Sequence, residues 1–231
     1  QDVVDMNHKA IDAGATAFVA VAVPASWKDA EAATEAVTVE GRPETVDLVT
    51  NIMNPVGRMD GDSLPVSAFV GYEDGQFPLG ASAYEKRGVA VSVPEWNADT
   101  CIQCNQCAFV CPHATIRPFA LTEAEMAAAP AQTKHIPVKG KVGADMQYVL
   151  AISPLDCMGC GLCAIQCPTD SLTMMPIADE LNEQPVFDYC VKDVARKEEL
   201  EGTSVKASQF KRPLLEFSGS CAGCAQTSYA R

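Results

Sequence analysis

The apolar positions of the first forty residues predict one helix followed by one buried strand. Apolar residues recur at helical spacing over residues 3–14, and Gly14 suits the end of this helix. Residues 18–23 form an apolar run rich in valine that ends at Pro24, which is typical of a buried strand. Residues 26–37 have a helical pattern of mostly alanine and glutamate, so we expect an exposed helix. A helix followed by a strand indicates the last unit of an α/β domain.

The pattern then predicts a short helix and a long irregular stretch. Apolar side chains share one face over residues 44–53, and Pro43 suits the first turn of a helix there. We expect Pro55 to end this helix, because the residue before a proline is disfavoured in the helical conformation. Proline and glycine interrupt residues 54–95, where the strand candidate is 88–93.

Three weaker elements follow. Thr122 and Glu125 have the spacing of a capping box, which predicts a helix within residues 121–131. Residues 192–201, in a polar part of the sequence, have a helical pattern. The short apolar run at residues 213–217 resembles a strand.

Composition and charge narrow the class of protein. The chain has 231 residues, 48% of them hydrophobic, which suits one or two folded domains. Its formal net charge of -13 argues against a phosphate-binding surface, so we expect no nucleic acid partner and instead a basic partner surface. The longest apolar stretch, residues 13–25, is too short for a membrane span and contains Pro24. The start of the sequence shows no signal peptide.

The eleven cysteines carry most of the information. An odd number cannot all be paired, and ten of them lie in three tight groups, at 101–111, 157–167 and 221–224. Disulfide scaffolds usually spread their cysteines along a small secreted chain. Tight groups in a longer chain are more typical of metal ligands.

Two of these groups are complete copies of one motif. Each reads Cys-x2-Cys-x2-Cys-x3-Cys-Pro, and each cysteine of the second run lies 56 positions after its counterpart. The run is that of bacterial two-cluster ferredoxins, in which the fourth cysteine ligates the cluster of the other run. A [4Fe-4S] cluster has four iron corners, each of which needs one soft thiolate. We therefore predict two [4Fe-4S] sites: cluster 1 on Cys101, Cys104, Cys107 and Cys167, and cluster 2 on Cys157, Cys160, Cys163 and Cys111.

Neighbouring residues support these two sites. We expect Pro112 and Pro168 in the first turn of a helix after each run, where no N–H is needed. Gly159 and Gly161 allow the second loop to approach the cluster and to donate backbone N–H groups to sulfur. An apolar shell is expected from Ile102, Ala108, Val110, Ile116, Met158, Ile165 and Leu172.

Alternatives remain for the motif and for the segment between its copies. Four thiolates also bind zinc, so a pair of zinc sites competes with the cluster hypothesis, and a disulfide framework is a further alternative. Residues 118–150 form an insertion relative to a small ferredoxin and contain the basic stretch Lys134–Lys141. This insertion either covers the clusters or forms a docking surface, or it is a tolerated surface loop.

The remaining candidate residues are isolated. Cys221 and Cys224 are half of a third cluster site, a redox dithiol, or without a role on their own. Cys190 lies beside apolar residues and is expected to be a small buried hydrophobe. His113 follows the first run and lies either near a cluster or, like His8 and His135, in an ordinary surface or packed position.

Several stretches closely resemble the pyruvate:ferredoxin (flavodoxin) oxidoreductases. The resemblance covers nearly the whole chain. It is carried by residues 51–55, 64–69, 84–90, 100–113 and 155–161, while residues 214–224 are similar to the start of that family's thiamine diphosphate domain. One departure follows Cys224, where Ala225, Gln226 and Ser228 replace residues usual in the family.

The resemblance implies an α+β fold and an internal fragment of a longer enzyme. A bacterial 2[4Fe-4S] ferredoxin-like domain with a long insertion would occupy residues 81–198. It would be flanked by the tail of an α/β domain (1–40), a small irregular linking domain (41–80) and the start of the thiamine diphosphate-binding domain (199–231). Cys221 and Cys224 would be two of the four ligands of a third, proximal cluster.

The resemblance also implies a function. The family decarboxylates pyruvate oxidatively on thiamine diphosphate, forms acetyl-CoA and passes single electrons through [4Fe-4S] clusters to ferredoxin or flavodoxin. The third cluster, thiamine diphosphate, Mg and CoA would belong to the full-length parent, a homodimer in the cytoplasm of an anaerobic organism. The alternatives are an iron–sulfur module that only senses or stabilises, and an electron-transfer subunit of another 2-oxoacid oxidoreductase or a hydrogenase. No catalytic residue is expected in this chain itself.

Overall fold

The computed structural model describes residues 2–29, 39–214 and 216, and it divides into two units, residues 1–40 and 41–231. In the first unit, helix α1 spans Asp2–Ala13, as predicted, and a 3₁₀ turn spans Ala25–Asp29. The strand predicted at residues 18–23 is wrong. These residues are exposed and irregular, and no described segment offers them the backbone partner that a strand requires. Most of the helix predicted at 26–37 lies outside the described residues.

The second unit opens with a helix that runs further than predicted. Helix α2 spans Pro43–Leu48 with its proline in the first turn, and a π-helical turn at Val49–Met53 leads into helix α3 at Asn54–Gly57. Pro55 does not end the helix, because it falls in the first turn of α3, where its missing N–H costs no hydrogen bond. The irregular chain that follows contains 3₁₀ turns at Gly61–Ser63, Val66–Phe69 and Ala81–Tyr84.

Within the described residues, five strands form two antiparallel sheets around the cysteine runs. Strand β1, Ser92–Trp96, begins later than predicted and pairs with β5, Leu172–Pro176. Strand β2, Ile116–Leu121, pairs with β4, Gln147–Ile152, and β3, Ile136–Pro137, lies on the other side of β4. The insertion is therefore not a tolerated surface loop, since most of β2 and β4 belongs to it and the two strands pair over six positions.

The 56-residue repeat extends beyond the cysteines into this architecture. The first half runs from β1 through a cysteine loop and helix α4, Gln106–Val110, to β2. The second half runs from β4 through the other cysteine loop and helix α6, Leu162–Ile165, to β5. The two sheets thus join the start of one half to the end of the other, which places the two cysteine loops between them.

Two groups of apolar side chains hold the sheets. Trp96, Ile116, Tyr148 and Leu172 belong to a core beside the cysteine loops. A second core lies where helix α8, Gln184–Lys192, meets β4, and it contains Leu121, Val149, Val186, Phe187 and Cys190. Cys190 has no exposed surface, which confirms its prediction as a buried hydrophobe.

The other helices are short. They are α5, Glu123–Ala128, α7, Ile177–Glu180, and α9, Val205–Ser208. The capping box is confirmed: Thr122 accepts a hydrogen bond from the Glu125 N–H, and the Glu125 carboxylate accepts one from the Thr122 N–H. The helix predicted at 192–201 is wrong, because the regular helix is α8, whose apolar face packs on β4, and only Glu198–Leu200 forms a 3₁₀ turn.

Candidate metal centres

Each of two small cavities gathers four cysteines, three from one run and one from the other. The cavity that we call site 1 is lined by Cys101, Cys104, Cys107 and Cys167. The cavity that we call site 2 is lined by Cys157, Cys160, Cys163 and Cys111. These are the two sets that the repeated motif predicts. All nine cysteines in the described part of the chain are free thiols.

The helical turn in each half lies before the fourth cysteine, in α4 and α6, and not after it. Cys111 caps the end of α4 in an extended conformation, and Pro112 enters a turn that leads into β2. The helices predicted after Pro112 and Pro168 are therefore wrong, because both prolines lead through a turn into a strand.

Left-handed backbone recurs at three equivalent positions of each half. Gly159 (φ 70°) and Gly161 (φ 74°) adopt it in the second loop, as expected for glycine. Gln103 (φ 59°) and Asn105 (φ 61°) adopt it in the first loop, and Ala114 and Asp170 form the third pair. Left-handed glutamine is uncommon and strained, whereas asparagine tolerates the conformation better.

Buried amide side chains hold the first loop in this conformation. Gln103 donates from Nε2 to the Pro137 carbonyl (2.7 Å) and accepts at Oε1 from the Lys139 N–H (2.7 Å). Asn105 donates from Nδ2 to the Lys206 carbonyl (2.8 Å) and accepts at Oδ1 from the Tyr148 hydroxyl (2.7 Å). The inserted segment and helix α9 thus cover the first loop. Of the two roles considered for the insertion, covering and docking, this arrangement corresponds to covering.

Sequence reasoning missed Gln103, Asn105 and Tyr148. The signal that would have revealed the first two is the repeat itself, because they stand 56 positions before Gly159 and Gly161. Tyr148 carries no such signal, since its role depends on the pairing of β4 with β2 and β3.

Backbone N–H groups donate hydrogen bonds to the cysteine sulfurs, and one hydroxyl group lies within hydrogen-bonding distance of a sulfur. In site 1, the Gln103 N–H donates to Cys101 Sγ (3.4 Å) and the Ser171 N–H donates to Cys167 Sγ (3.2 Å). In site 2, the Gly159 N–H donates to Cys157 Sγ (3.3 Å). The Thr115 Oγ1 lies 3.5 Å from Cys111 Sγ. Such donors favour the thiolate, which is the form that binds a metal.

Burial acts in the opposite direction on three of the site thiols. It raises the pKa of Cys107 strongly, that of Cys157 to about 11 and that of Cys163 to about 12. Cys167 differs: burial raises its pKa, but hydrogen bonds from Thr169 and Ser171 outweigh this, and the net shift is downward. Because Cys107, Cys157 and Cys163 are hard to ionise alone, we expect proton release to accompany the binding of a metal or cluster.

The apolar lining agrees with the expected shell for most residues. Ile102 and Leu172 line site 1, and Ile116 and Met158 line site 2. Ile165, which is 82% exposed, lines neither cavity, and the same is true of Ala108 and Val110. The donor set of each site is four cysteines in a mainly apolar cavity, which fits a [4Fe-4S] cluster.

Other candidate residues have separate environments. His113 is buried and lines site 2, whereas His8 is exposed and His135 hydrogen-bonds to Gln147 Oε1 (3.0 Å). Cys221 and Cys224 lie outside the described residues. Among the residues that are described, no three histidine, cysteine or acidic side chains form a group suited to a single metal ion. No helix in the described ranges is long and apolar enough to cross a membrane.

Comparison with known proteins agrees with this donor set. Residues 100–171 match a family described as a 4Fe-4S dicluster domain, and residues 33–90 match a family described as a domain of unknown function.

Curated relatives align with the full chain. In an alignment that covers the whole chain, it is 46% identical to a pyruvate-flavodoxin oxidoreductase of Enterobacter agglomerans, and over 99% of the chain it is 42% identical to a pyruvate:ferredoxin oxidoreductase of Moorella thermoacetica. A pyruvate dehydrogenase [NADP(+)] of Cryptosporidium parvum is 43% identical over 94% of the chain. The chain spans 19% of the length of the first two relatives and 11% of the third.

Proposed function

Over its whole length the chain is homologous to one segment of the pyruvate:ferredoxin and pyruvate-flavodoxin oxidoreductases, and from this premise we propose that it is their electron-transfer segment. Site 1 and site 2 each hold one [4Fe-4S] cluster on the four cysteines that line it. The observation that carries the proposal is the crossing of ligands between runs, which the two cavities reproduce.

Each protein group has a separate task in this proposal. When bound, a [4Fe-4S] cluster supplies the ability to take up and release one electron. The cysteine thiolates hold it, and the Gln103, Gly159 and Ser171 N–H groups stabilise the negative charge on sulfur. Burial and the chain's net charge of -13 disfavour added negative charge, so we expect low reduction potentials.

The wider assignments depend on the parent protein. We propose that electrons come from a thiamine diphosphate site outside this chain, where pyruvate is decarboxylated to acetyl-CoA with Mg and CoA. Cys221 and Cys224 would supply part of a third cluster. The finer division into residues 41–80, 81–198 and 199–231, the homodimer, and a low-oxygen cytoplasm are parts of the same proposal. Unpaired cysteines and oxygen-labile clusters suit such a compartment.

The acceptor has two candidates. The names of the bacterial relatives point to flavodoxin or ferredoxin. The name of the Cryptosporidium parvum relative favours a second candidate, a parent protein that delivers the electrons to NADP+. Basic groups on a flavodoxin or ferredoxin would favour contact with the acidic chain.

Anaerobic isolation of the chain with iron and sulfide tests the proposal. We expect about eight iron and eight sulfide per chain, as two clusters of this type require, and electron paramagnetic resonance signals after reduction. The reduced chain should then reduce flavodoxin.

The control is a Cys190→Ala variant, in which a buried cysteine outside both cavities is changed, and it should keep both clusters. Stoichiometric zinc without visible absorbance would overturn the proposal. Intact clusters that cannot reduce flavodoxin or ferredoxin would favour a module that senses or stabilises.

A further inference from the structure

Three hydroxyl groups beside site 1 form a continuous chain that ends at Cys167. The Thr100 hydroxyl donates to Ser171 Oγ (2.9 Å), Ser171 Oγ lies 2.8 Å from Thr169 Oγ1, and Thr169 Oγ1 lies 3.8 Å from Cys167 Sγ. Ser171 is buried, whereas Thr100 is exposed. This hydroxyl chain therefore connects the protein surface just before the first cysteine run to the last cysteine of the second run.

Proton counting allows one direction along this hydroxyl chain. A hydroxyl group has a single proton to donate, and a thiolate can only accept. With Thr100 donating to Ser171, all three protons find acceptors when Ser171 donates to Thr169 and Thr169 donates to Cys167; the Ser171 side chain is also a hydrogen-bond partner of Cys167 itself. Hydrogen bonds aligned in this way polarise one another, so the last donor is stronger than an isolated threonine.

Site 2 lacks this arrangement at the equivalent positions. His113 stands at the position of Thr169, and Thr115 at that of Ser171. Asp156 stands in place of Thr100 and is bonded to Lys86 and Ser153. Cys111 therefore has one nearby hydroxyl, that of Thr115 at 3.5 Å, where Cys167 has a chain of three.

We propose that Thr100, Ser171 and Thr169 are positioning residues that raise the reduction potential of the cluster in site 1. This inference rests on the proposed function. With a cluster held at site 1, uptake of one electron would add one negative charge, which the four thiolates, Cys167 Sγ among them, would share. A hydrogen bond to sulfur stabilises the more negative, reduced form more strongly than the oxidised form. Losing the donor therefore lowers the potential.

The experiment is a redox titration of the cluster-loaded chain, followed by electron paramagnetic resonance. Thr169→Val removes the donor to sulfur and should lower one of the two midpoint potentials. Ser171→Ala keeps the backbone donor and should lower the same potential by less, and Thr100→Val by less again. Thr169→Ser retains a hydroxyl and should restore the wild-type value. Thr115→Val is the matched control and should shift only the other potential.

The readouts separate failure of the inference from failure of the proposed function. Iron and sulfide content is measured first, and a wild-type chain without clusters contradicts the proposed function. If both clusters are intact and neither midpoint potential changes in Thr169→Val and Ser171→Ala, the hydroxyl chain is only structural and the inference is overturned. The inference is also overturned if Thr169→Val and Thr115→Val shift the midpoint potential of the same cluster.

Discussion

The two cysteine loops reach the same backbone conformation by different means. The second loop uses Gly159 and Gly161, which adopt left-handed φ angles without a side chain to strain. The first loop places Gln103 and Asn105 there and holds both with buried side-chain hydrogen bonds. One loop is thus shaped by its own sequence, and the other by its surroundings.

The difference has a consequence for exposure. Gln103 and Asn105 have almost no exposed surface, because the inserted segment, β4 and α9 bond to them. Cys160, between the two glycines of the second loop, is exposed. The covered loop gains rigidity from distant residues, while the glycine loop leaves a cysteine of site 2 near the surface of the described chain.

The largest expected effect comes from replacing the fourth cysteine of either run by serine. Cys111→Ser should remove the cluster of site 2, although Cys111 belongs to the first run, and Cys167→Ser should remove that of site 1. Each variant should lose about half of its iron, since each cluster needs four thiolates. Paramagnetic resonance of the two single variants should show different remaining signals. Loss of the same signal in Cys111→Ser and Cys107→Ser would contradict the crossed ligands.

The next effect tests how far the second loop depends on glycine. Alanine at Gly159 would place its Cβ 3.0 Å from the Ser92 carbonyl oxygen and 3.3 Å from Ala90 Cβ, in addition to the left-handed strain. Alanine at Gly161 meets nothing within 4 Å, so only the strain of about 1–2 kcal/mol applies. Gly159→Ala should lose its visible absorbance at a clearly lower urea concentration than Gly161→Ala. Equal midpoints would show that the approach to Ser92 is unimportant.

A smaller effect tests the cover of the first loop. Asn105→Gly relieves the strain but leaves the buried Tyr148 hydroxyl without its acceptor, which costs about 1–3 kcal/mol. We expect a net loss of stability, measured as the urea midpoint under anaerobic conditions. Adding Tyr148→Phe should recover part of that loss of stability, because it removes the hydroxyl group that has lost its acceptor. A stable Asn105→Gly variant would mean that both loops need only glycine.

The smallest effect is a pH dependence in the inserted segment. Burial raises the pKa of Glu125, but hydrogen bonds from Lys197, Thr122 and Ala195 outweigh it and lower the pKa from 4.5 to about 2. A carboxylate with a lowered folded pKa stabilises the fold fully above about pH 4.5, and this contribution is lost as the pH falls toward 2.

Glu125→Gln tests this contribution directly. The variant should be less stable than wild type at neutral pH, and the difference should close as the pH is lowered. Thermal unfolding of the metal-free chain between pH 7 and 3 measures it. Glu123→Gln, on the exposed side of the same turn, is the control. A constant difference at every pH would show that the ion pair with Lys197 is not its source.

Local signals in the sequence are more informative than the long-range ones. Cysteine spacing is a local, repeated signal, and the cysteines that it groups are those that line the two cavities, while their role as cluster ligands stays a prediction. The capping box and the end of α1 are also local, and both are confirmed. Residues 18–23 were predicted as a strand because apolar runs look alike whether or not a partner strand exists.

The errors near the sites have a common physical cause. The helices expected after Pro112 and Pro168 followed from a local preference for proline in a first turn, yet both segments continue as strands because β4 and β1 pair with them. The inserted segment gave no sign that its ends pair across an intervening helix and turn. Such long-range pairing is set by the whole fold and not by neighbouring residues.

The pairing of β1 with β5 also sets the order in which the molecule is completed. Ser92 pairs with Pro176, so the sheet of β1 and β5 cannot close until both cysteine runs have been synthesised. Contacts between such distant residues slow folding, because the loop between them must close first. The cysteine sets are completed in the same late part of translation. Site 2 has all four of its cysteines only once residue 163 has been synthesised, and site 1 only once residue 167 has been.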